Sequence, residues 1–121
     1  DVVILIPASV TDVINRGNKN SIRAKMIVEG ANIPMKEEIE KELFLRGVLI
    51  VPDCVANAGG VISSYAEYRG YDPKTMFELV EKKIKASTKL ILEQSLRYNK
   101  NPRDVALTIA KKKIAAAMSI K

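Results

Sequence analysis

Lys25-Met26-Ile27-Val28-Glu29-Gly30-Ala31-Asn32 is the stretch that decides the fold. Its apolar centre is continuous and partly β-branched rather than alternating, the pattern of a parallel strand covered on both faces. It ends abruptly on a glycine, a small residue and an amide. Two runs of the same kind flank it, residues 2–6 (Val-Val-Ile-Leu-Ile) and 48–51 (Val-Leu-Ile-Val). Roughly twenty residues separate each run from the next, and antiparallel hairpins need only a few residues there. Right-handed parallel crossovers are therefore expected.

The first crossover contains Thr11-Asp12-Val13-Ile14-Asn15, read as a short helical turn capped by Thr11 or Asp12. In the second, Pro34 opens a helix that carries Ile39, Leu43 and Phe44 at helical spacing, and Gly47 stops it. The expected order through Val51 is β-α-β-α-β. Pro52-Asp53 then starts a loop, and a helix runs from near Ala58 to about Tyr68. Asp72 and Pro73 are a good cap and first residue for a helix reaching about Tyr98, with Phe77, Val80, Ile84, Thr88 and Ile91 on one stripe. Asn101-Pro102 starts the last helix, whose expected buried stripe is Ala106, Ile109, Ala110, Ile114, Ala117 and Met118. The fold class is α/β.

Composition narrows the chemistry. A length of 121 residues with 47% hydrophobic and 28% charged residues suits one globular domain or a piece of a larger one. The apolar runs are too short to span a membrane. There is no histidine, which excludes Ser-His and Cys-His nucleophiles and His-ligated metals. The single cysteine, Cys54, excludes an internal disulfide and a cysteine zinc site and fits a reducing compartment, so a cytoplasmic protein is expected. The net charge of +6 is scattered and mixed with glutamates such as Glu37, Glu38, Glu40 and Glu42, and six aromatic residues offer no stacking platform. Solvated helix faces are favoured over nucleic-acid binding. The chain opens on Asp1 and enters a buried-strand pattern at once, as expected of a piece of a longer polypeptide.

In an open parallel sheet, ligands bind beyond the carboxyl ends of the strands. The unusual short motifs here all sit at such ends: Pro7-Ala8-Ser9, Gly30-Ala31-Asn32, and Asn57-Ala58-Gly59-Gly60. Small residues leave room for a ring or a ribose, and an amide both donates and accepts. Each motif also has a plainer reading. Gly30 and Asn32 can be turn residues, Asn57 a helix cap, Gly59-Gly60 a packing site, Ser64 a serine bonded back to its own helix, and Cys54 an inert thiol.

Taken in order, Ile6-Pro7-Ala8, Val28-Glu29-Gly30-Ala31-Asn32, Val51-Pro52-Asp53, Ala56-Asn57-Ala58-Gly59-Gly60-Val61 and Ser64-Tyr65 strongly resemble the dehydrogenases of glutamate, leucine, phenylalanine and valine, glutamate dehydrogenase above all. The resemblance runs through essentially the whole chain, to the terminal helix over residues 104–121. Ser9, where the family often has alanine, and Glu67-Tyr68-Arg69-Gly70 depart from it.

The resemblance implies half of a Rossmann-like parallel sheet followed by C-terminal helices. Residues 1–57 would be the second half of a dinucleotide-binding domain and residues 58–121 the helices that close it. It implies NAD or NADP as cofactor and reversible oxidative deamination of L-glutamate to 2-oxoglutarate and ammonia. Asn32 and Asn57 would contact the nicotinamide and its ribose, and Pro7, Ala8, Gly30 and Ala31 would line that side. Val61 would pack near the substrate side chain, and Ser64 would hydrogen-bond its distal carboxylate. A hydroxyl there suits glutamate, since apolar analogues leave it unpaired. No Gly-x-Gly-x-x-Gly occurs here. The resemblance places that phosphate loop and the catalytic lysines and aspartate in other parts of the protein, so no catalytic residue is expected in this chain and the chain alone should be inactive. It also implies a homo-oligomer, a hexamer in the full-length protein. The competing reading is a stand-alone nucleotide- or protein-binding module without catalysis.

Overall fold

The computed structural model describes residues 2–119. Three short parallel strands, β1 (Ile4–Leu5), β2 (Met26–Val28) and β3 (Leu49–Val51), lie in the order β1-β2-β3. Ile4 pairs with Met26, and Ile27 pairs with both Leu5 and Ile50. Five α-helices follow or connect them: α1 (Glu37–Leu45), α2 (Asp53–Ala56), α3 (Gly59–Tyr68), α4 (Pro73–Tyr98) and α5 (Pro102–Met118). This is the expected α/β class, an open parallel sheet with helices.

Two apolar clusters hold it together. Ile27 and Ile50, paired across the sheet, pack with Ile14, Met35, Ile39, Leu43 and Val48, so α1 covers one sheet face. Its apolar residues recur at 39 and 43, one turn apart, while Glu37, Glu38 and Lys41 stay in solvent. Gly47 ends the helix at φ 86°, a conformation open to glycine at no steric cost. The second cluster, Val55, Ile91, Val105 and Ala106, joins α2, α4 and α5.

The helix ends follow their sequence signals. Asp72 accepts from the Lys74 and Thr75 backbone N–H groups at 3.0 and 3.1 Å, and Pro73 occupies the first turn of α4. Asn99 closes α4 at φ 49°, and Asn101 caps α5 by accepting from Arg103 N at 2.8 Å.

Five expectations are corrected. The first crossover holds turns and a 3₁₀ helix (Lys19–Ser21) in place of a helical turn at residues 11–15. The asparagines explain it: Asn15 Oδ1 accepts from Gly17 N, Asn18 Oδ1 accepts from Asn15 N, and Asn18 Nδ2 donates to Val13 O. Such side-chain bonds compete with the helical ladder. Pro34 is buried ahead of α1 and does not open it, and α2 occupies the loop expected after Pro52. β1 is an exposed edge, with Val2, Val3, Ile4 and Ile6 about half or more exposed, because among the described residues it has a strand partner on one side only. On α5 only Ala106 of the expected stripe is buried, with Ile109 half-buried; Ala110, Ile114, Ala117 and Met118 are exposed. The last residues of the expected terminal helix, Ile120 and Lys121, lie outside the described residues.

Leu43 is fully buried at the centre of the first cluster. Leu43→Ala should lower the unfolding free energy by about 2–5 kcal/mol, the usual cost of a large-to-small change in a packed core. Urea denaturation of the two proteins measures it; a loss below about 1 kcal/mol would mean that α1 is not the cover of this sheet face.

Candidate functional site

The three strand ends form an open cleft of about 930 Å³, lined by Ser9, Val10 and Thr11 after β1, Gly30, Ala31 and Asn32 after β2, and Asn57, Gly60 and Val61 around the start of α3. The loops are fastened to one another. Ala31 N donates to Pro7 O at 2.8 Å, and Thr11 Oγ1 donates to Asn32 O at 3.1 Å. A Cβ built at Gly30 would lie 3.0 Å from the Ala8 Cβ. The close approach of the two loops therefore favours glycine there, since a side chain would push Ala8 back by a few tenths of an ångström.

The two amides meet. Asn57 Nδ2 donates to Asn32 Oδ1 at 2.6 Å and lies 3.5 Å from Gly30 O. Asn57 is thus not the cap of α3; that position is Ala58, with no side-chain cap bond. Among the described residues Asn32 Nδ2 and Asn57 Oδ1 have no protein partner, so two residues that line the cleft keep a free donor and a free acceptor. Next to them the first turn of α3 presents uncapped N–H groups, the positive end of its dipole.

Of the residues singled out in the sequence, Gly30, Ala31, Asn32, Asn57 and Val61 share this cleft. Pro7 and Ala8 are not in its lining: Pro7 is buried and borders a separate cavity with Leu5, Val13 and Ile14, and Ala8 stands against Gly30. Ser64 is exposed, is not in the cleft lining, and donates to Gly60 O at 3.1 Å. The Cys54 thiol is pushed up by desolvation, which suppresses its thiolate.

The sequence reading missed what lies behind the cleft. Arg103, in the first turn of α5, donates from Nη2 to Glu29 Oε2 at 2.6 Å, from Nε to Glu40 Oε2 at 2.6 Å and from Nη1 to Asp53 Oδ1 at 2.9 Å. Asp53 N adds a bond to the same Glu29 oxygen at 2.8 Å, and Asp53 Oδ2 accepts from Ile33 N at 2.9 Å. Glu29 and Glu40 are essentially inaccessible, and Oε1 of each is buried without a partner. Glu29 at the end of an apolar strand was the available signal, because a buried carboxylate demands a cation.

Three carboxylates around one guanidinium leave a surplus of negative charge. Burial pushes Glu29 up to about 7; the Asp53 N–H and Arg103 oppose that, while Glu40 and Asp53 add to it. Burial also works against the Asp53 charge, but the Ile33 N–H and Arg103 overcome it and hold the group below its ordinary value. Desolvation likewise opposes the Arg103 charge, but the bonds to Glu40 and Asp53 outweigh it and raise the group.

The geometry and motifs can be set beside known proteins. The model of the Glutamate/Leucine/Phenylalanine/Valine dehydrogenase family matches residues 1–121. The chain belongs to this amino-acid dehydrogenase family. It is 37% identical to the glutamate dehydrogenase of Thermotoga maritima over 97% of the chain and 30% of that protein. It is 50% identical to the NADP(+)-dependent glutamate dehydrogenase of Pyrobaculum calidifontis over 56% of the chain and 16% of that protein. Among solved structures, L-tryptophan dehydrogenase from Nostoc punctiforme superposes with a TM-score of 0.88 at 29% identity, over 98% of the chain and 36% of the other. The chain thus spans less than two-fifths of the length of each of these proteins.

The Glu29 carboxyl yields a pH prediction. Its folded-state value lies above its ordinary one, so between about 4.5 and 7 the folded protein keeps a proton that the unfolded chain has released. The stability it contributes is complete below that window and is lost as pH rises through about 7. Asp53, shifted downward, acts only in more acid solution. Glu29→Gln should therefore flatten the decline in urea midpoint between pH 5 and pH 8. An identical decline in both proteins rules Glu29 out as its source.

Proposed function

We propose that this chain forms the nicotinamide side of the dinucleotide-binding domain, residues 1–57, and its closing helices, residues 58–121, in an NAD- or NADP-dependent glutamate dehydrogenase. The reaction is the reversible oxidative deamination of L-glutamate to 2-oxoglutarate and ammonia. The observation that carries the reading is the Asn32–Asn57 pair, with its free donor and free acceptor facing a cleft walled by small residues. A nicotinamide carboxamide offers the complementary acceptor and donor, and no Cβ would meet an obstacle within 4 Å at Gly60, so the ring has room. The cofactor supplies hydride acceptance when bound. This chain's residues orient it: Asn32 donates, Asn57 accepts, and Gly30 and Ala31 shape the wall with Pro7 and Ala8 behind.

Glutamate as the substrate is supported by the named activity of the Thermotoga relative and, within the chain, by Ser64 on α3 beyond Gly60 and Val61. The Ser64 hydroxyl would turn from the Gly60 carbonyl to donate to the distal carboxylate. NADP has the support of the Pyrobaculum relative's name. A cytoplasmic homo-oligomer, hexameric when complete, belongs to the same reading.

Asn32→Ala and Asn57→Ala, made in the intact protein, should each weaken NAD(P) binding by about three- to tenfold, the usual contribution of one neutral hydrogen bond. Titration calorimetry checks this, and wild-type affinity in both variants would sink the reading of the cleft. For the substrate, Ser64→Val removes one bond to a charged group, about 1.5–3 kcal/mol. It should cost roughly one to two powers of ten in kcat/KM for glutamate and little for norvaline. A ratio that stays put takes Ser64 out of the substrate site.

A further inference from the structure

We propose that Arg103 is a positioning residue for the nicotinamide end of the cofactor: from α5 it locks Asp53, and Asp53 sets the placement of both Asn32 and Asn57. This rests on the reading of the cleft proposed above. Neither Arg103 nor Asp53 lines the cleft. Their reach is through bonds. Asp53 Oδ2 accepts from the N–H of Ile33, the residue after Asn32, and Asp53 O accepts from the N–H of Asn57 itself at 3.0 Å. One residue thus holds both amide-bearing segments.

Ile33 shows that the hold has to be firm. It sits at φ 48°, in the left-handed region that a β-branched side chain avoids. Two bonds to its backbone keep this corner in place, Asp53 to Ile33 N and Ile33 O to Asp12 N at 3.0 Å. Asp53 in turn is fixed by Arg103 Nη1 and by its own N–H on Glu29 Oε2, the oxygen that Arg103 Nη2 also holds. Glu40 on α1 takes the third arm of the fork, at Nε. The guanidinium therefore joins four elements of the fold at one point, and the planar fork is what lets it bond three carboxylates at once. A lysine carries the same charge without that fork.

The test compares wild type with Arg103→Lys in the intact protein. Two ligands are titrated: the dinucleotide that the wild type takes, and the matching ADP-ribose (2′-phosphorylated for NADP), which lacks the nicotinamide ring. Arg103→Lys should weaken dinucleotide binding by about tenfold or more while ADP-ribose binding stays within about twofold. A residue that merely stabilises the fold would lower both affinities alike. If Arg103→Lys does not fold, Arg103→Gln combined with Glu29→Gln, which removes the guanidinium and the most buried of its carboxyl partners together, is measured in the same way with the same expectation. Dinucleotide affinity equal to wild type, or equal losses for both ligands, overturns the proposal. A wild-type protein that binds neither ligand overturns the reading of the cleft, and the proposal with it. When the wild type binds both, a loss in the variant confined to the dinucleotide supports the proposal.

Discussion

Arg103 and its three carboxylates are the point on which the rest of the structure depends. The partners come from the end of β2, from α1 and from the start of α2, while the arginine itself is 50 to 74 residues further along the chain. No apolar cluster joins these parts, since one packs α1 on the sheet and the other packs α2, α4 and α5 together. The ionic group ties α5 to α1, α2 and the end of β2 at one point. Its charge balance is unusual, with more acid than base, and Arg103 occupies the first turn of α5, where the helix dipole favours negative charge. The surplus carboxylates offset that mismatch. A largely buried ionic group adds little net stability compared with an apolar replacement, yet removing one partner is costly. Such an arrangement serves geometry more than it serves stability.

The geometry it fixes lies at the strand ends. Parallel strands of two or three residues are short, and their loops would wander without further restraint. Here each loop is bonded to the next: Pro7 O to Ala31 N, Asn32 O to Thr11, Asn32 Oδ1 to Asn57. Asn57 is the decisive case. Its backbone closes α2 as the C-cap, while its side-chain amide crosses to the neighbouring strand end, and the α3 terminus is left without a side-chain cap beside the cleft.

Local signals were legible in the sequence where one residue type forces one outcome. Asp72-Pro73, Asn101-Pro102 and Gly47 mark helix ends that the structure reproduces to the residue, and the continuous apolar runs mark the parallel strands. The first crossover was misread because Asn15 and Asn18 bond locally and outcompete a helix that apolar spacing suggested. The outer half of α5 was misread because an apolar stripe states that a face wants cover and says nothing about what supplies it. The cleft residues were found through motif order and their place at strand ends. Arg103 was missed because its meaning is entirely non-local: beside Pro102 it looks like an ordinary helix-start cation, and only the fold brings it to Glu29, Glu40 and Asp53.

The same contrast bears on substrate choice. A tryptophan dehydrogenase shares this chain's fold at a TM-score of 0.88, while a glutamate dehydrogenase shares 37% of its residues. A scaffold common to proteins named for an aromatic and for an acidic amino acid does not itself select between them. Selection has to reside in a few side chains placed on that scaffold. Under the reading proposed above, the Arg103 group and the Asn32–Asn57 pair serve the cofactor, so they are not the place to look. The first two turns of α3 are different: they begin at the cleft with Gly60 and Val61 and continue outward to Ser64, an exposed hydroxyl that among the described residues bonds only to its own helix. A donor with so weak a local commitment can be redirected with little loss, whereas a buried and fully paired one could not. The contact proposed above between Ser64 and an acidic substrate side chain draws on that weak local commitment.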